Sequence, residues 1–499
     1  IDKFHTMFAL FNHFKLQSNV IIAASYANTQ NTSLTKPRVY QALKKVINEH
    51  PQLALTYFRR PSEKDHGKHR CWKGYLNEIN LDNCVSFVED TSVDDKGLGR
   101  IIEKLHELWF HEGSLPEDDE TLWRLVVVNG EHAIFVYEHT IGDGKSGLRF
   151  HASLMDSLNS IASADDTDQQ AAIGVMSVLR VQADKLCPEP MDLVTHRMSI
   201  FYIIYMMILF HIIRLIFRGE SLMFGDTNIL KQSIVYGDSG HAIKPPTTQL
   251  QCLRLNEKTL KKCQVLCREH NVTFTAFLFC LTKIGLIADL YPVAKVSVGS
   301  IPIDLRTRDI MSKNFKSTMG NASSALWDIS WTSEYRKAAQ GKTRAGAEDK
   351  YGIHIPYFWT MARRFTKKLS RELEQRKRYL DDYKSFAFIG ADDEDYTTSL
   401  LPGLGLRQRN AWSLSNLGVF RPEASGNGPG QWSISNVEFS AGITKAGIGP
   451  NITLNVVSKV KGGCVIYAAY EKQNLRAENV MTLLEGIESR IYLIVDSAV

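Results

Sequence analysis

One histidine in the sequence is set among residues that suit acid–base chemistry. His139 is followed by Asp143 and Gly144 in the run Glu138-His139-Thr140-Ile141-Gly142-Asp143-Gly144-Lys145-Ser146. Histidine titrates near neutral pH, so a fixed imidazole can take a proton from one group and return it to another. With 15 His in the chain, a His-x-x-x-Asp-Gly pattern is expected by chance only about 0.05 times at average Asp and Gly usage. The pattern therefore favours a general base over a histidine that only caps a turn.

Two strands and a helix are predicted around this motif. Residues 125–128 and 133–137 have strand character, and Asn129-Gly130 between them is typical of a two-residue type I′ hairpin turn. Apolar residues at helical spacing predict a helix over 146–158. His139 would then lie just past the end of a buried strand, where a rigid backbone can hold the imidazole in place.

Three other histidines compete with His139 for the role of base, and all three rank below it. They are His132, His151 and His354. His132 begins a predicted strand and His151 lies inside the predicted helix, so neither follows the end of a strand.

The composition is that of a large globular protein. At 499 residues, 44% hydrophobic and 23% charged, the chain has the size of two or three domains and enough apolar residues for a large core. A formal net charge of +5 does not suggest a nucleic-acid partner, and we predict none. The eight Cys include no Cys-x-x-Cys pair and no Cys/His zinc spacing, which predicts buried free thiols, no metal and an intracellular, reducing compartment. The chain starts at Ile1 rather than Met, so we expect a short preceding piece, and no signal peptide is visible.

The strongest break in the pattern of strands and helices is at residues 186–190, and a second run begins near Gln249. We therefore predict a first subdomain over 1–190 that carries the His139 motif. A crossover over 191–248 and a second subdomain over 249–499 would follow it.

The most apolar segment of the chain covers residues 200–217. Residues 200–210 carry no charge, and His211 and Arg214 interrupt the remainder. This length is at the lower limit for spanning a bilayer, and an arginine near one end could snorkel. Three interpretations stay open: a buried or substrate-lining helix, an anchor on a membrane or lipid-droplet surface, and a transmembrane span.

Several blocks of the sequence together resemble one superfamily. Besides the His139 motif they are His50-Pro51, His270-Asn271-Val272-Thr273-Phe274-Thr275-Ala276-Phe277, Asp304-Leu305-Arg306-Thr307-Arg308 with Gly320-Asn321, and Trp412-Ser413-Leu414-Ser415-Asn416-Leu417-Gly418. In this order they resemble the chloramphenicol-acetyltransferase-like superfamily of CoA-dependent acyltransferases. The late Asp-Phe-Gly-Trp-Gly block of the plant branch is absent, so the chain looks most like the fungal alcohol acetyltransferases.

The resemblance implies an α+β fold with a two-layer α/β arrangement of sheets and helices. Two chloramphenicol-acetyltransferase-like subdomains would each hold a mixed β-sheet flanked by helices, with a tunnel between them. It also implies a reaction, the transfer of acetyl from acetyl-CoA to the hydroxyl of a small or medium-chain alcohol. Acetyl-CoA would be a co-substrate, and His139 would serve as general base. The residues that bind CoA are not assigned.

The resemblance also implies roles for the residues around the histidine. Asp143 would turn away from His139 and pair with an arginine, for which Arg306 is the first choice and Arg308 the alternative. Gly144 would permit a positive φ that a side chain would penalise. Ser413, Ser415 and Asn416 are candidates for oxyanion contacts, or else are polar strand residues that line the tunnel.

Other functions compete with alcohol acetylation. The apolar segment 200–217 suits N-acetylation of a long-chain amine, or a catalytically inactive, lipid- or membrane-associated binding protein on the same scaffold. A peptide-synthetase condensation domain is less favoured, because the chain shows no attached carrier or adenylation segment. We expect a monomer in the cytoplasm or peripheral on the endoplasmic reticulum or a lipid droplet.

Overall fold

The structure of the protein is a computed structural model. It describes residues 3–13, 15–61, 69–90, 93, 98–110, 120–162, 177–181, 190–225, 245–306, 310–311, 319–339, 351–385, 410–422, 430–444 and 449–497. Of the predicted break at 186–190, all but Pro190 lies outside the described residues, and so does Arg308.

Two mixed β-sheets form the centre of the molecule. The first has the strand order β13-β1-β7-β6-β5, with β5 and β6 parallel, and the second has the order β11-β10-β12-β14-β15-β9, with β10, β12 and β14 parallel. The two short pairs β2–β3 and β4–β8 accompany them. The strands are β1 (Val20–Asn28), β2 (Leu55–Pro61), β3 (His69–Tyr75), β4 (Glu78–Asn80), β5 (Val85–Val88), β6 (Trp123–Val128), β7 (His132–Tyr137), β8 (Val178–Arg180), β9 (Thr248–Leu255), β10 (Val296–Asp304), β11 (Ser323–Trp331), β12 (Ala411–Phe420), β13 (Trp432–Ala441), β14 (Ile452–Lys459) and β15 (Cys464–Glu471).

Helices cover both sheets, so the predicted class of mixed sheets flanked by helices is confirmed. The helix over Phe274–Gly285 continues as a π-helical turn over Leu286–Leu290. The helices are α1 (Lys3–His13), α2 (Lys36–Glu49), α3 (Leu81–Cys84), α4 (Gly99–Leu105), α5 (Gly144–Ala162), α6 (Pro190–Leu193), α7 (Ile200–Ile216), α8 (Glu257–Glu269), α9 (Phe274–Gly285), α10 (Ser333–Ala338), α11 (Ile355–Gln375), α12 (Arg378–Ser385) and α13 (Ala477–Asp496). Short 3-10 turns lie at Pro51–Ala54 and Gly219–Ser221.

Alternate residues of the first sheet enter two different cores. On β1, Ile22 packs into the core of the first half, whereas Ile21 packs with Leu250 and Tyr467 of the second half. The same alternation occurs on β6 and β7, because successive side chains of a strand point to opposite faces. These strands are therefore apolar on both faces, and the second face joins the two halves of the molecule.

The second half of the chain also contributes a strand to the first sheet. β13 pairs antiparallel with β1 over Val20–Asn28 and forms an edge of the first sheet, although it lies late in the chain. The predicted boundary at 249 assigns this strand to the second subdomain, whereas its hydrogen bonds are in the first sheet. Strand patterns in the sequence show where a strand is, but they do not show which sheet it joins.

Helix α7 corresponds to the apolar segment 200–217, and it is not a buried helix. Its outer side leaves large apolar side chains exposed, among them Phe201 at 86% and Leu215 at 63%. Within the described residues, no single helix is long and apolar enough to cross a membrane. Two consecutive helical segments, Glu257–Glu269 and Phe274–Leu290, are together long and apolar enough to cross a membrane by length and composition. The angle between them is 103°.

Candidate active site

His139 lies in the short loop between β7 and α5. Strand β7 is held by β1 on one side and β6 on the other, so its end is fixed in the sheet. The hairpin that precedes it is of the predicted type I′, since Asn129 and Gly130 have φ values of 54° and 64°. The loop carrying the imidazole is therefore tied at both ends to regular structure.

Two residues from distant parts of the chain hold the imidazole. The ring of Phe8, from helix α1, stacks on it with 4.3 Å between ring centroids and 17° between ring planes. Asn321 Nδ2 lies 2.9 Å from His139 Nδ1 and donates to the His139 carbonyl oxygen, also at 2.9 Å. Asn321 Oδ1 in turn accepts from Ser323 Oγ at 2.9 Å, which orients the amide.

The surroundings of His139 favour the neutral ring. Burial lowers its pKa below the usual 6.5, opposed by the charge of Asp143 and by a hydrogen bond to the histidine's own backbone. Burial also raises the pKa of the neighbouring Glu138 to about 8, so that carboxyl is mostly protonated at pH 7 and adds little charge beside the ring. At neutral pH the imidazole can therefore accept a proton.

Asp143 points its carboxylate away from the imidazole and into an ion pair with Arg306. Arg306 Nη1 donates to Asp143 Oδ2 at 2.8 Å, and the backbone N–H of Ala322 donates to the same oxygen at 3.0 Å. The backbone N–H of Ser146 donates to Oδ1 at 3.1 Å. Burial by itself raises the pKa of Asp143, but Arg306 and these hydrogen bonds together hold it below its usual range. The carboxylate is therefore ionised and serves the shape of the loop.

Arg306 connects the motif loop to the second half of the molecule. Its guanidinium donates to Asp304 Oδ1 at 3.0 Å, to the Gly320 carbonyl, and to Ser146 Oγ at 3.2 Å. The Gly320 N–H donates to the same Ser146 oxygen at 3.0 Å. The first turn of α5 and the end of β10 are thus locked together, and Asn321 beside Gly320 is brought to the imidazole.

Gly144 is required for space, and its predicted positive φ is wrong. Gly144 begins α5 and is not among the described residues with positive φ. A Cβ built on it would lie 2.6 Å from Leu417 Cδ2 and 3.2 Å from Phe439 Cε2. The close approach of β12 and β13 to the start of α5 therefore excludes a side chain here.

A cavity of about 470 Å³ lies between the two halves, and His139 lines it. The first half contributes the motif loop, α1, β1 and β13, and the second half contributes β10, β11, β12, β14 and α12. This volume is in the range of ligand sites in enzymes. The cavity lies where the sequence predicts a tunnel.

The predicted oxyanion candidates also line this cavity. Ser413, Ser415 and Asn416 lie on β12 and face it. Ser413 Oγ donates weakly to the Ser300 carbonyl at 3.5 Å, and Asn416 Nδ2 donates to Thr275 Oγ1 at 3.1 Å. Polar side chains of the second sheet therefore lie on the wall of the cavity, where Ser413 and Asn416 each already donate one hydrogen to a protein acceptor.

The rival histidines do not line the cavity and have other partners. His132 Nδ1 contacts Ser25 Oγ at 2.9 Å. His151 is buried between the Tyr26 hydroxyl and the Ile22 carbonyl, at 2.9 and 3.0 Å. His354 caps the start of α11. Within the described part of the chain, no three His, Cys, Asp or Glu side chains are grouped to hold a metal ion.

Several residues of the site are not predictable from their local sequence. Phe8 belongs to a helix that the sequence pattern does not single out. Asn321 lies in a block recognised by resemblance, which carries no indication of its contact with the ring. Lys145 also lines the cavity, where it donates to the Leu417 carbonyl, and burial lowers its pKa. All three act through contacts between elements that are far apart in the chain.

Comparison with known proteins gives matches over nearly the whole chain. The profile of a family described as "Alcohol acetyltransferase" matches residues 3–487. The "Probable alcohol acetyltransferase crmB" of Aspergillus fumigatus is 26% identical over 32% of this chain and 37% of that protein. An uncharacterized protein of Schizosaccharomyces pombe is 23% identical over 91% of this chain and 87% of its own length. The Aspergillus match thus spans little more than a third of that relative.

Solved structures share the fold. The TRI3 trichothecene 15-O-acetyltransferase from Fusarium sporotrichioides superposes with a TM-score of 0.67 at 13% identity, over 98% of this chain and 93% of that one. The first condensation domain of the calcium-dependent antibiotic synthetase, in complex with a substrate analogue, gives 0.57 at 12% identity, over 99% and 96%. At these identities the likeness concerns the fold alone.

Proposed function

We propose that this chain, which belongs to the alcohol acetyltransferase family, transfers an acetyl group from acetyl-CoA to the hydroxyl of an alcohol. The family is one of O-acyltransferases whose co-substrate is an acyl-CoA thioester. The observation that carries the proposal for this chain is the setting of His139. Its imidazole is held by Phe8 and Asn321 at the wall of a cavity that both halves of the molecule line.

The imidazole would act first as a base. As the acceptor oxygen attacks the thioester carbonyl carbon, a C–O bond forms and the hydroxyl proton passes to the neutral ring. The tetrahedral intermediate then collapses, the C–S bond breaks with its electron pair on sulfur, and the imidazolium returns the proton to the CoA thiolate. An acetate ester and free CoA leave, and the histidine is neutral again.

The base needs a free lone pair on Nε2, so the proton of the neutral ring has to be on Nδ1. The hydrogen bond between the ring and the histidine's own backbone supports that tautomer. Asn321 Nδ2 is itself a donor, so in this tautomer it does not hydrogen-bond to Nδ1, 2.9 Å away, and it acts by donating to the His139 carbonyl oxygen. We assign Asn321 as a positioning residue on this basis.

The negative charge that develops on the carbonyl oxygen requires donors that are already in place. Ser413, Ser415 and Asn416 supply hydroxyl and amide hydrogens from the wall of the cavity. Asp143 and Arg306 would not touch the reacting atoms. Their ion pair would keep the motif loop in register with the second half, where these donors lie.

Thiol release from acetyl-CoA tests the proposal. The purified protein should release CoA thiol in the presence of isoamyl alcohol and other small and medium-chain alcohols, with an equal amount of acetate ester formed. Thiol release without ester would indicate hydrolysis instead. No release with any of a broad set of alcohols and amines would favour the inactive binding protein.

Acetylation of an amine is a second candidate. Asp304, which pairs with Arg306, and Asp382 line the same cavity, and their carboxylates would attract an ammonium group. Base catalysis by His139 would be the same for a nitrogen nucleophile. Turnover of isoamyl alcohol against a long-chain amine, each with acetyl-CoA, separates the two functions.

A further inference from the structure

We propose that helix α7 docks on an anionic lipid surface and that an apolar acceptor enters the cavity from that side, past Trp327. The docking stands on the geometry of the helix. The acceptor route deepens the proposed acetyl transfer and rests on it, because it names the substrate as an apolar alcohol that partitions into lipid.

The outer face of α7 is apolar except for the exposed His211. The helix has 17 residues, about 25 Å by the usual rise per residue. Nine large apolar side chains on it are between 44% and 86% exposed: Ile200, Phe201, Ile204, Tyr205, Met207, Ile208, Ile212, Leu215 and Ile216. Together they expose on the order of 1,000 Å², whereas the largest patch of a soluble monomer is about 300–600 Å². Such a surface is expected to be covered by a partner.

The opposite face of α7 fixes the helix on the protein. Its N-terminal end is held by Asp381, whose Oδ1 accepts from His196 Nε2 at 2.8 Å and from the Ser199 N–H at 2.9 Å. Further along, Ile213 packs into a small core with Leu222 and Val296. The apolar outer face therefore has a fixed orientation, as a docking surface needs.

The side of α7 that packs on the protein reaches the wall of the cavity through the half-buried Phe210. The ring of Phe210 on α7 meets Trp327 edge-on, with 6.0 Å between centroids and 86° between planes. Trp327 lies on β11 and lines the same cavity as His139. One tryptophan is thus shared between the helix that would contact lipid and the cavity where the acceptor would react.

Basic side chains lie at both ends of the apolar face. Arg197 precedes the helix and Arg218 follows it, and both are exposed. Exposed Arg378, near the N-terminal end, pairs with Glu372 at 2.9 Å, and exposed Glu220 lies two residues after Arg218, so the cations that would meet the lipid are Arg197 and Arg218. Arginine near a surface of phosphatidylserine is attracted to it, whereas a second copy of the chain would bring like charges together. This charge pattern favours an anionic lipid surface as the occupant.

Vesicle sedimentation tests the docking without any assay of activity. The parent protein should pellet with phosphatidylcholine vesicles, and more strongly when phosphatidylserine is included. The variant F201S/I208S/L215S removes three outer side chains and should pellet at least about tenfold less. The matched control V293S/V460S/M481S removes three exposed apolar side chains elsewhere and should pellet like the parent. All of these side chains are exposed, so circular dichroism should show folded variants.

The acceptor route needs a second measurement on the same proteins. The F201S/I208S/L215S variant should retain the parent's turnover of soluble isoamyl alcohol and lose at least about tenfold with dodecanol presented in vesicles. Equal losses with both alcohols, or with neither, would overturn the route. A parent that binds no vesicles, or an α7 variant that pellets like the parent or only dissociates a dimer, would overturn the docking. A parent that pellets but turns over neither alcohol would contradict the proposed function alone.

Discussion

At the scale of single residues, the site depends on how one imidazole is held. Phe8 fixes the plane of the His139 ring by stacking on it, and Asn321 fixes the backbone that carries the ring by donating to the His139 carbonyl oxygen. Neither residue carries charge, so both leave the ring neutral and able to accept a proton. Stacking and hydrogen bonding thus position the ring without protonating it.

Removal of the Asn321 amide should lower turnover without changing the binding of acetyl-CoA. Asn321→Ala releases the His139 carbonyl and loosens the backbone that carries the ring, and we expect kcat to fall roughly tenfold, part of the about 10²–10⁴ that a general base contributes. KM for acetyl-CoA should change little. The ¹⁵N NMR signals of His139 should show the Nδ1–H tautomer in the parent and in the variant, because the amide that is removed is a donor and does not stabilise a proton on Nδ1. An Nε2–H tautomer in the parent would contradict the role of Nε2 as the base.

The pH profile should report the same imidazole. Burial lowers the pKa of His139, and the base acts only when neutral, so kcat/KM should rise with pH and level off from a midpoint below 6.5. The charge of Asp143 opposes that lowering of the His139 pKa, so in Asp143→Asn the midpoint should move further down. Steady-state kinetics between pH 4 and 8 (about the range in which His titrates) would measure both. A midpoint above 6.5 would point to a different group.

Asp143 and Arg306 should behave as one unit in stability measurements. Arg306→Gln leaves the buried Asp143 carboxylate without its counter-charge and should cost about 3–5 kcal/mol of unfolding free energy. Asp143→Asn should cost less, because Arg306 keeps its ion pair with Asp304 at 3.0 Å. The double variant should cost clearly less than the sum of the two. Urea unfolding of the four proteins provides the cycle. Additive losses would mean that the pair acts as two independent residues.

At the scale of elements, the strand–loop–helix unit around the motif has to approach the second half closely. Gly144→Ala should push the start of α5 away from Leu417, because the new methyl would lie 2.6 Å from Leu417 Cδ2. We expect losses of both turnover and stability. In a protein that also carries Leu417→Ala, Gly144→Ala should lower turnover and unfolding free energy markedly less. Thiol release and urea unfolding can measure the two losses. Equal costs in both backgrounds would show that Gly144 is needed for another reason.

The elements around the motif were predictable because their signals are local. The Asn129-Gly130 turn, the apolar runs on both sides and the helical spacing after Gly144 predict β6, β7 and α5 to within a few residues. The reason for Gly144 itself was not predictable, since it lies in a contact with β12. The same holds for Phe8, whose contact with His139 joins two elements far apart in the chain.

At the scale of the whole molecule, the family and the fold class predicted from the motif blocks are confirmed. The place of β13 in the first sheet was not predictable, because the pattern of a strand does not identify its neighbours. In the structure β13 carries Glu438 into a buried contact with the second sheet, where Arg254 Nη2 donates to its Oε1 at 2.9 Å. The two halves are thus joined by hydrogen bonds, an ion pair and a shared apolar face.

Because of these links, the two halves should unfold together. Urea unfolding followed by circular dichroism and by tryptophan fluorescence should give coincident transitions. Glu438→Gln removes the ion pair between Glu438 and Arg254 and should lower both midpoints by the same amount. Two separated transitions in the parent would show that the halves are independent domains although β13 of the second half lies in the first sheet.

The central claim is that His139 is the general base of acetyl transfer, and thiol release by His139→Ala tests it most directly. With acetyl-CoA and isoamyl alcohol, kcat should fall by about 10²–10⁴ while circular dichroism shows an intact fold. His132→Gln, a change of a histidine outside the cavity, should retain the parent's rate. A His139→Ala protein that works within a few-fold of the parent would contradict the account.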